Sequence, residues 1–341
     1  MIREAIKKVV ERLDLSEAEA VAAMTEIMDG EATPAQVAAF ITAMRMKGET
    51  VPEIVGFVKV MREKCNKVCP KSDSLVDTCG TGGDKLNTFN ISTAAAFVVA
   101  GGGLKVAKHG NRAASSTCGS ADVLEALGVN ISLAAESVAE CIDRTGIGFM
   151  FAPVMHPAMK NAVGPRKEIG IRTVFNMLGP MTNPAGAKRQ VIGVFSPDIT
   201  ETVASVLGAL GSERAMVFHG MAGLDELSTL GETRVSELKD GKVRTYMVTP
   251  ADAGLETARP EDLEAGDSVV DKVRALLEVL NGEKGPRRDI VLMNAAAAFV
   301  VAGISSDLRE GVGRAAESVD KGAALSSLEQ LKSVSQELGQ S

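Results

Sequence analysis

Tryptophan is missing from this 341-residue chain, and tyrosine occurs only once, as Tyr246. With aromatics at 3% of residues, the chain has few rings on which nucleic-acid bases could stack, and its interior must be packed with Ala, Val, Leu, Ile and Met. An excess of basic residues is missing too. Lys and Arg number 37 against 44 Asp and Glu, a formal charge of -7, which argues against a general nucleic-acid or membrane-surface role and requires any phosphate site to be local. The five cysteines are odd in number and scattered, so they make no disulfide framework. Cys65 and Cys69 lack the second ligand pair of a zinc site, and reduced thiols follow. No long apolar run opens the chain. MIREAIKKVVERL alternates charged with apolar residues, which excludes a signal peptide or membrane span there and leads us to expect a cytoplasmic location. Histidine occurs three times, at 109, 156 and 219, without a Gly-x-Ser-x-Gly elbow, so a serine triad or catalytic cysteine is not evident and covalent catalysis is disfavoured.

The length suits two domains of unequal size. Up to about residue 68 the apolar positions Ile6, Val9, Val10 and Leu13 recur at helical spacing. Ser16 with Glu19, Thr33 with Gln36 and Thr50 with Glu53 fit the capping box; Pro34 suits a first helical position, and Gly30 and Gly48 suit the chain just past a helix. After Pro70, short apolar runs followed by Gly-rich turns and helical stretches predict a parallel sheet covered by helices. The expected strands are Leu75 to Thr78, Leu104 to Ala107, Ile147 to Phe151, Val191 to Phe195 and Ala215 to Phe218. Val235 to Leu238 and Val243 to Val248 form a hairpin across Asp240-Gly241, making the sheet mixed. From about Asp289 long Ala-rich helical periodicity returns. The fold class is therefore α/β: a small N-terminal helical domain, residues 1–68, beside a larger domain with a mostly parallel, mixed sheet flanked by helices.

The first strand ends in DTCGTGGDKLNTFNIST. Gly80, Gly82 and Gly83 free the backbone to approach an anion, and the run from Asn90 to Thr93 opens a helix whose amides and dipole favour phosphate. Position 85 is Lys where a dinucleotide fingerprint needs Gly, and no Gly-Lys-Ser/Thr follows. Alone, this loop reads equally well as a tight connection. The second strand, however, runs into Lys108, His109, Asn111, Arg112, Ser115, Ser116 and Ser120 before another helix. Two such loops at the carboxyl ends of neighbouring parallel strands converge on one crevice, and their donors suit two phosphate groups.

Asp225 and Glu226 are adjacent carboxylates in a turn after AMVFHG. By themselves they read as a solvated acidic pair; beside a pyrophosphate they suit a hard divalent cation that shares phosphate oxygens and water. The segment FAPVMHPAMKNAVGPRKEIGIRTVFNMLGPMTNP carries His156, Arg166 and Arg172 among Pro and Met, a semi-apolar pocket with a fixed cation for a small acid. Its structural alternative is that His156-Pro157 starts a helix and Arg166 forms a surface ion pair.

GTGGD, TFNIST, KHGNR, GSADVLEALG, GPRKEIGIRTVFNMLGPMTNP and GLDE, in this order, resemble the anthranilate phosphoribosyltransferases over nearly the whole chain. KHGNR followed by SS and GSAD is specific, whereas GTGGD is shared with the pyrimidine nucleoside phosphorylases, which use the same two-domain frame and are the alternative reading. A non-catalytic nucleic-acid-binding relative would be expected to lose the acidic pair and gain a basic groove, and neither is apparent. The resemblance implies phosphoribosyl transfer from phosphoribosyl pyrophosphate to the amino group of anthranilate in tryptophan biosynthesis. It also implies Mg2+ as cofactor, a homodimer, and a helical domain completed by a segment at about 157–183, leaving 69–156 and 184–341 as the α/β domain. Donor-binding residues implied by the match are Gly80, Gly83, Asp84, Thr88, Asn90, Ile91, Ser92 and Thr93, with Lys108, His109, Gly110, Asn111, Arg112, Ala113, Ala114, Ser115, Ser116 and Ser120. Ser92, Asp225 and Glu226 match the metal ligands. Gly80, Asn111 and Arg166, with His109, His156 and Pro180, match the anthranilate site. Lys108, Asp84 and Asn111 are the expected catalytic residues, in positioning and electrostatic roles. Lys85 departs from the small residue expected after GTGGD.

Overall fold

The computed structural model describes residues 1–340 apart from 84, 85, 87 and 113–117. Its first four helices are α1 (Ile2–Val10), α2 (Glu17–Met28), α3 (Pro34–Lys47) and α4 (Val51–Glu63). Their starts follow from side chains that satisfy the orphan amides of a first turn. Ser16 Oγ accepts from the Glu19 amide at 3.3 Å while the Glu19 carboxylate accepts from the Ser16 amide at 2.7 Å. Thr33 and Gln36 repeat the exchange at the start of α3. Glu53 goes further. Its carboxylate is buried, accepts the amides of Thr50 at 2.7 Å and Leu15 at 2.8 Å, and pairs with Lys47 at 2.9 Å, so one residue joins the starts of α2 and α4 to the end of α3.

The sheet contains β1 (Leu75–Asp77), β2 (Lys105–Gly110), β3 (Ile147–Phe151), β4 (Arg189–Gly193), β5 (Arg214–Gly220), β6 (Thr233–Lys239) and β7 (Lys242–Val248), in the order β3-β2-β1-β4-β5-β6-β7. Neighbours are parallel from β3 across to β5, and β6 and β7 are antiparallel. The β6–β7 turn uses Asp240 and Gly241 at φ +52° and +70°, the paired left-handed conformation that matches the twist of a hairpin. Strand order reverses between β1 and β4, the position at which an open parallel sheet leaves a crevice beyond its carboxyl ends.

Two strand limits correct the expectation. β2 does not end at Ala107 but runs to Gly110, because Lys108, His109 and Gly110 continue the pairing with Phe149, Met150 and Phe151. Conversely, β4 starts at Arg189 and stops at Gly193, and Val194 and Phe195 beyond it pack into a hydrophobic core.

Alternation along β4 and β5 sends side chains to two cores. Val191, Met216 and Phe218 belong to the core with α5 (Ile91–Gly101), α6 (Ser120–Ala126) and the buried helix Pro286–Ala302. Ile192, Val194, Ala215 and Val217 belong to the other, which α1–α4, helix Thr200–Ala209 and residues Ala162 to Met181 complete. The N-terminal helices thus share a core with one face of the sheet. Among the described residues no helix is long and apolar enough to cross a membrane.

Candidate active site

The loop after β1 is fastened across the switch point. Thr81 donates its amide to the Gly193 carbonyl at 2.8 Å, and its hydroxyl accepts from the Phe195 amide at 3.0 Å. The Gly82 amide reaches Asp225 Oδ2 at 2.8 Å, and the Ser92 amide, in the first turn of α5, reaches Glu226 Oε1 at 3.1 Å. The amides that the sequence offers to phosphate are therefore held by the acidic pair in this structure. Close packing requires glycine here: a Cβ on Gly193 would lie 1.5 Å from the Asp225 carbonyl oxygen, and one on Gly80 would lie 3.0 Å from Asp225 Oδ2. Burial raises the pKa of Asp225, opposed by the Gly82 amide.

Lys108 is buried near the end of β2 and donates to the Thr78 carbonyl at 2.9 Å. Desolvation lowers its pKa, opposed by Cys79, Asp77 and Glu226. Asn90 bridges to the second loop by donating to the Cys118 carbonyl at 3.3 Å, and Ser120 Oγ donates to the Asn111 carbonyl at 3.3 Å. Arg112 turns toward α6, where it meets Asp122 and both oxygens of Glu125. Asp84, Lys85, Ala113, Ala114, Ser115 and Ser116 lie outside the described residues.

A single cavity of about 760 Å³ is lined by Gly80, Gly83, Thr88, Asn90, Ile91 and Ser92 on the loop side, by Lys108 to Arg112 and Ser120, and by Asp225 and Glu226. His156, Arg166, Phe175 and Pro180 also line it. Thr93 is buried behind the helix start. Arg166 is half-buried, with its guanidinium 5.1 Å from the centre of the Phe175 ring, and it makes no ion pair among the described residues. The surface ion pair that sequence left open is therefore not found among the described residues. His109 and His156 stand 5.0 Å apart by ring centres. Nδ1 of His109 donates to the Gly179 carbonyl at 3.1 Å, which leaves Nε2 as an acceptor, and the buried Nε2 of each ring has no hydrogen-bond partner among the described residues. Burial holds His109 down to about 3 and His156 down to about 4, so both are neutral near pH 7.

Residues 3–65 match the family model described as glycosyl transferase family, helical bundle domain, and residues 72–325 match glycosyl transferase family, a/b domain. Anthranilate phosphoribosyltransferase from Acetivibrio thermocellus is 56% identical over 97% of this chain and 95% of its own length. The enzyme of that name from Moorella thermoacetica is 55% identical over 96% and 97%. This chain belongs to the anthranilate phosphoribosyltransferase family. Among solved structures, anthranilate phosphoribosyltransferase from Thermus thermophilus superposes with a TM-score of 0.92 at 44% identity, covering 97% of this chain and 99% of its own. The enzyme from Saccharomyces cerevisiae, in complex with PRPP and Mg, gives 0.88 at 28% identity, covering 98% of each chain. The relatives bear the name of the transferases and not of the pyrimidine nucleoside phosphorylases, so the alternative reading gives way.

Several residues that support this cavity carry no sequence signal. Asp77 is fully buried at the end of β1; Oδ1 accepts from the His109 amide at 3.2 Å, and Oδ2 accepts from Asn183 Nδ2 at 2.7 Å and Gln190 Nε2 at 3.5 Å. Asn183 also donates to the Ala107 carbonyl at 2.9 Å, and Gln190 to the Pro180 carbonyl at 2.8 Å. The chain from Gly179 to Asn183, which carries Pro180, is thereby fixed to β1 and β2. Lys272 is buried in helix Val269–Leu280 and donates to the Thr88 carbonyl at 3.0 Å. In sequence it reads only as a charged position on an amphipathic helix.

Proposed function

We propose that this chain carries out its family's reaction, transfer of the phosphoribosyl group from phosphoribosyl pyrophosphate to the amino group of anthranilate with release of pyrophosphate, at the cavity beyond β1, β2 and β4. The observation that supports the residue assignments is one cavity lined both by backbone amides, Lys108 and an acidic pair and by the Arg166 guanidinium, which makes no ion pair among the described residues.

Two carboxylates and the Ser92 hydroxyl form an all-oxygen donor set beside a recess of about 10 Å³ lined by Thr78, Gly80, Ser92 and Glu226. Magnesium commonly takes one or two protein carboxylates and completes its shell with water and substrate phosphate, so these residues fit it. When bound there, it supplies charge neutralisation for the departing pyrophosphate. Lys108 stabilises charge that grows as the bond to the anomeric carbon breaks, acting in a desolvated position where electrostatics are strong. Asn111 and Ser120 help to close the donor side. Arg166 orients the carboxylate of anthranilate. Neutral His109 presents the Nε2 lone pair to an N–H such as that of the acceptor amine, which is uncharged and requires no strong base. We further propose that the helical domain, residues 1–68 with 157–183, is the wall that closes over the sheet, and that the protein is a cytoplasmic homodimer.

The test is direct. Protein, anthranilate, phosphoribosyl pyrophosphate and Mg2+ are mixed and the loss of anthranilate fluorescence is followed; no loss overturns the reading. A charge-assisted contact is worth about 1.5–3 kcal/mol, so Arg166→Ala should raise the KM for anthranilate about tenfold to a hundredfold and leave that for the donor nearly unchanged. The reverse pattern sinks the acceptor assignment.

A further inference from the structure

The backbone beside the acidic pair is held from an unexpected direction. Asn294 sits at the head of the buried run NAAAAFVV in helix Pro286–Ala302, only 3% exposed. Its Oδ1 accepts from the Leu227 amide at 3.0 Å, its Nδ2 donates to the Leu227 carbonyl at 2.9 Å, and the same Nδ2 donates to the Ile290 carbonyl at 2.8 Å. A buried amide costs free energy unless it is paired, and here both its oxygen and its nitrogen are satisfied. Two of the three bonds go to the residue directly after Asp225-Glu226, in the manner of a neighbouring strand, although no strand lies there. Asn294 also lines the small recess with Thr78, Gly80, Ser92 and Glu226.

Two other holds on this turn differ in kind. Asp225 and Glu226 are engaged through carboxylate oxygens, by the Gly82 and Ser92 amides. Those oxygens are the groups a divalent cation needs, and those amides are the groups a phosphate needs, so both contacts must exchange when metal and pyrophosphate bind. On this turn the Asn294 clamp engages only the backbone of Leu227 and competes with neither.

We propose that Asn294 is a positioning residue for the donor side of the reaction: it pins the chain at Leu227 so that the Asp225 and Glu226 carboxylates swing from loop amides to metal without the turn moving. The inference rests on the metal reading above, and its test separates the two. Asn294→Ala and Asn294→Ser would be compared with wild type and with Asp225→Asn/Glu226→Gln in Mn2+ binding, followed by electron paramagnetic resonance in the presence of pyrophosphate. Hydrogen exchange of the segment around Leu227 and the KM values for both substrates would be measured alongside.

Losing the two neutral hydrogen bonds to Leu227 should weaken Mn2+ and donor binding in Asn294→Ala by about tenfold, with a smaller loss in Asn294→Ser, which keeps a polar group. The KM for anthranilate should stay within about twofold, and the Leu227 amide should lose protection while the β5 amides keep theirs. A merely structural role would lower the unfolding midpoint and move both KM values together. Wild-type Mn2+ affinity in both Asn294 variants, with a weakened acidic-pair variant, overturns the clamp and leaves the metal site standing. Unchanged affinity in all variants overturns both. If Asn294→Ala fails to fold, Asn294→Ser decides by the same readings.

Discussion

At the residue scale buried groups at and behind the cavity wall make stability depend on pH in a calculable direction. His109 and His156, held near 3 and 4 by burial, bind protons in the unfolded chain before the folded one. The stability they contribute is complete above about 6.5 and is lost as pH falls toward their folded values. Asp77 works the other way. Burial pushes it up to about 6, opposed by the Asn183 amide and Lys108, so its folded form takes a proton first and its contribution grows as pH falls from 6 toward 4. Set against Asp77 alone, the two histidines leave the unfolded chain with about one surplus proton near pH 5, a slope of at most about 1.4 kcal/mol per pH unit, because Asp225, also raised by burial, works in the same direction as Asp77. The thermal midpoint should therefore fall between pH 7 and pH 5, and His156→Gln should flatten the decline. Asp77→Asn should steepen it and, by facing an amide donor either toward the His109 amide or toward the Asn183 and Gln190 amides, should also lower stability at pH 7 by about 1–3 kcal/mol. A midpoint that rises on acidification would contradict this account.

At the element scale the crevice depends on how closely the turn after β5 approaches the end of β4. Gly193 carries that approach, since a Cβ there would collide with the Asp225 carbonyl, which is backbone and has little freedom to yield. Gly193→Ala should lower stability by about 1–3 kcal/mol and raise the donor KM by displacing the acidic pair. The control is Gly164→Ala in helix Lys160–Ile169, where a Cβ meets nothing within 4 Å and the helix should gain about 0.5–1 kcal/mol. If both variants behave alike in the donor KM, the close approach does not matter for the site. Sequence exposes such elements when their signals are local. The capping residues at Ser16, Thr33 and Thr50, the Asp240-Gly241 hairpin and the Gly-rich turns after β1 and β2 are of that kind, and each lies within a few residues of the structure it specifies. It does not expose partners separated along the chain: Asp77 meets Asn183 and Gln190 more than 100 residues away, and Lys272 meets Thr88 at a separation of 184. Lys108 and His109 read as loop because they are polar, yet they are strand residues whose polar atoms find the Thr78 and Gly179 carbonyls. Along β4, alternation shows that both faces are buried but not that one of them meets α1–α4.

At the scale of the whole molecule the cavity lies where the two hydrophobic cores come together, with Met61 of α4 and Phe175 on one side and the β1 and β2 loops on the other. A ligand that touches both sides binds the folded chain and not the unfolded one, and it must therefore raise the unfolding midpoint. At a hundredfold excess over its Kd the gain is about 2.7 kcal/mol, a shift of a few degrees for a chain of this size. The charge balance decides which ligand mixture does so. The chain carries a formal charge of -7, and the carboxylates of Asp225 and Glu226 face the same loop amides that a pyrophosphate would use. Without a divalent cation the donor and the acidic pair are like charges at close range, where repulsion is poorly screened. Phosphoribosyl pyrophosphate with Mg2+ should thus raise the midpoint in differential scanning fluorimetry, whereas the same donor with EDTA should give little shift. Asp225→Asn/Glu226→Gln should remove much of the difference by abolishing the repulsion along with the metal ligands. A donor-induced shift of equal size with and without the cation in the wild-type protein would mean that the acidic pair does not face the pyrophosphate, and the donor would have to be placed elsewhere in the cavity.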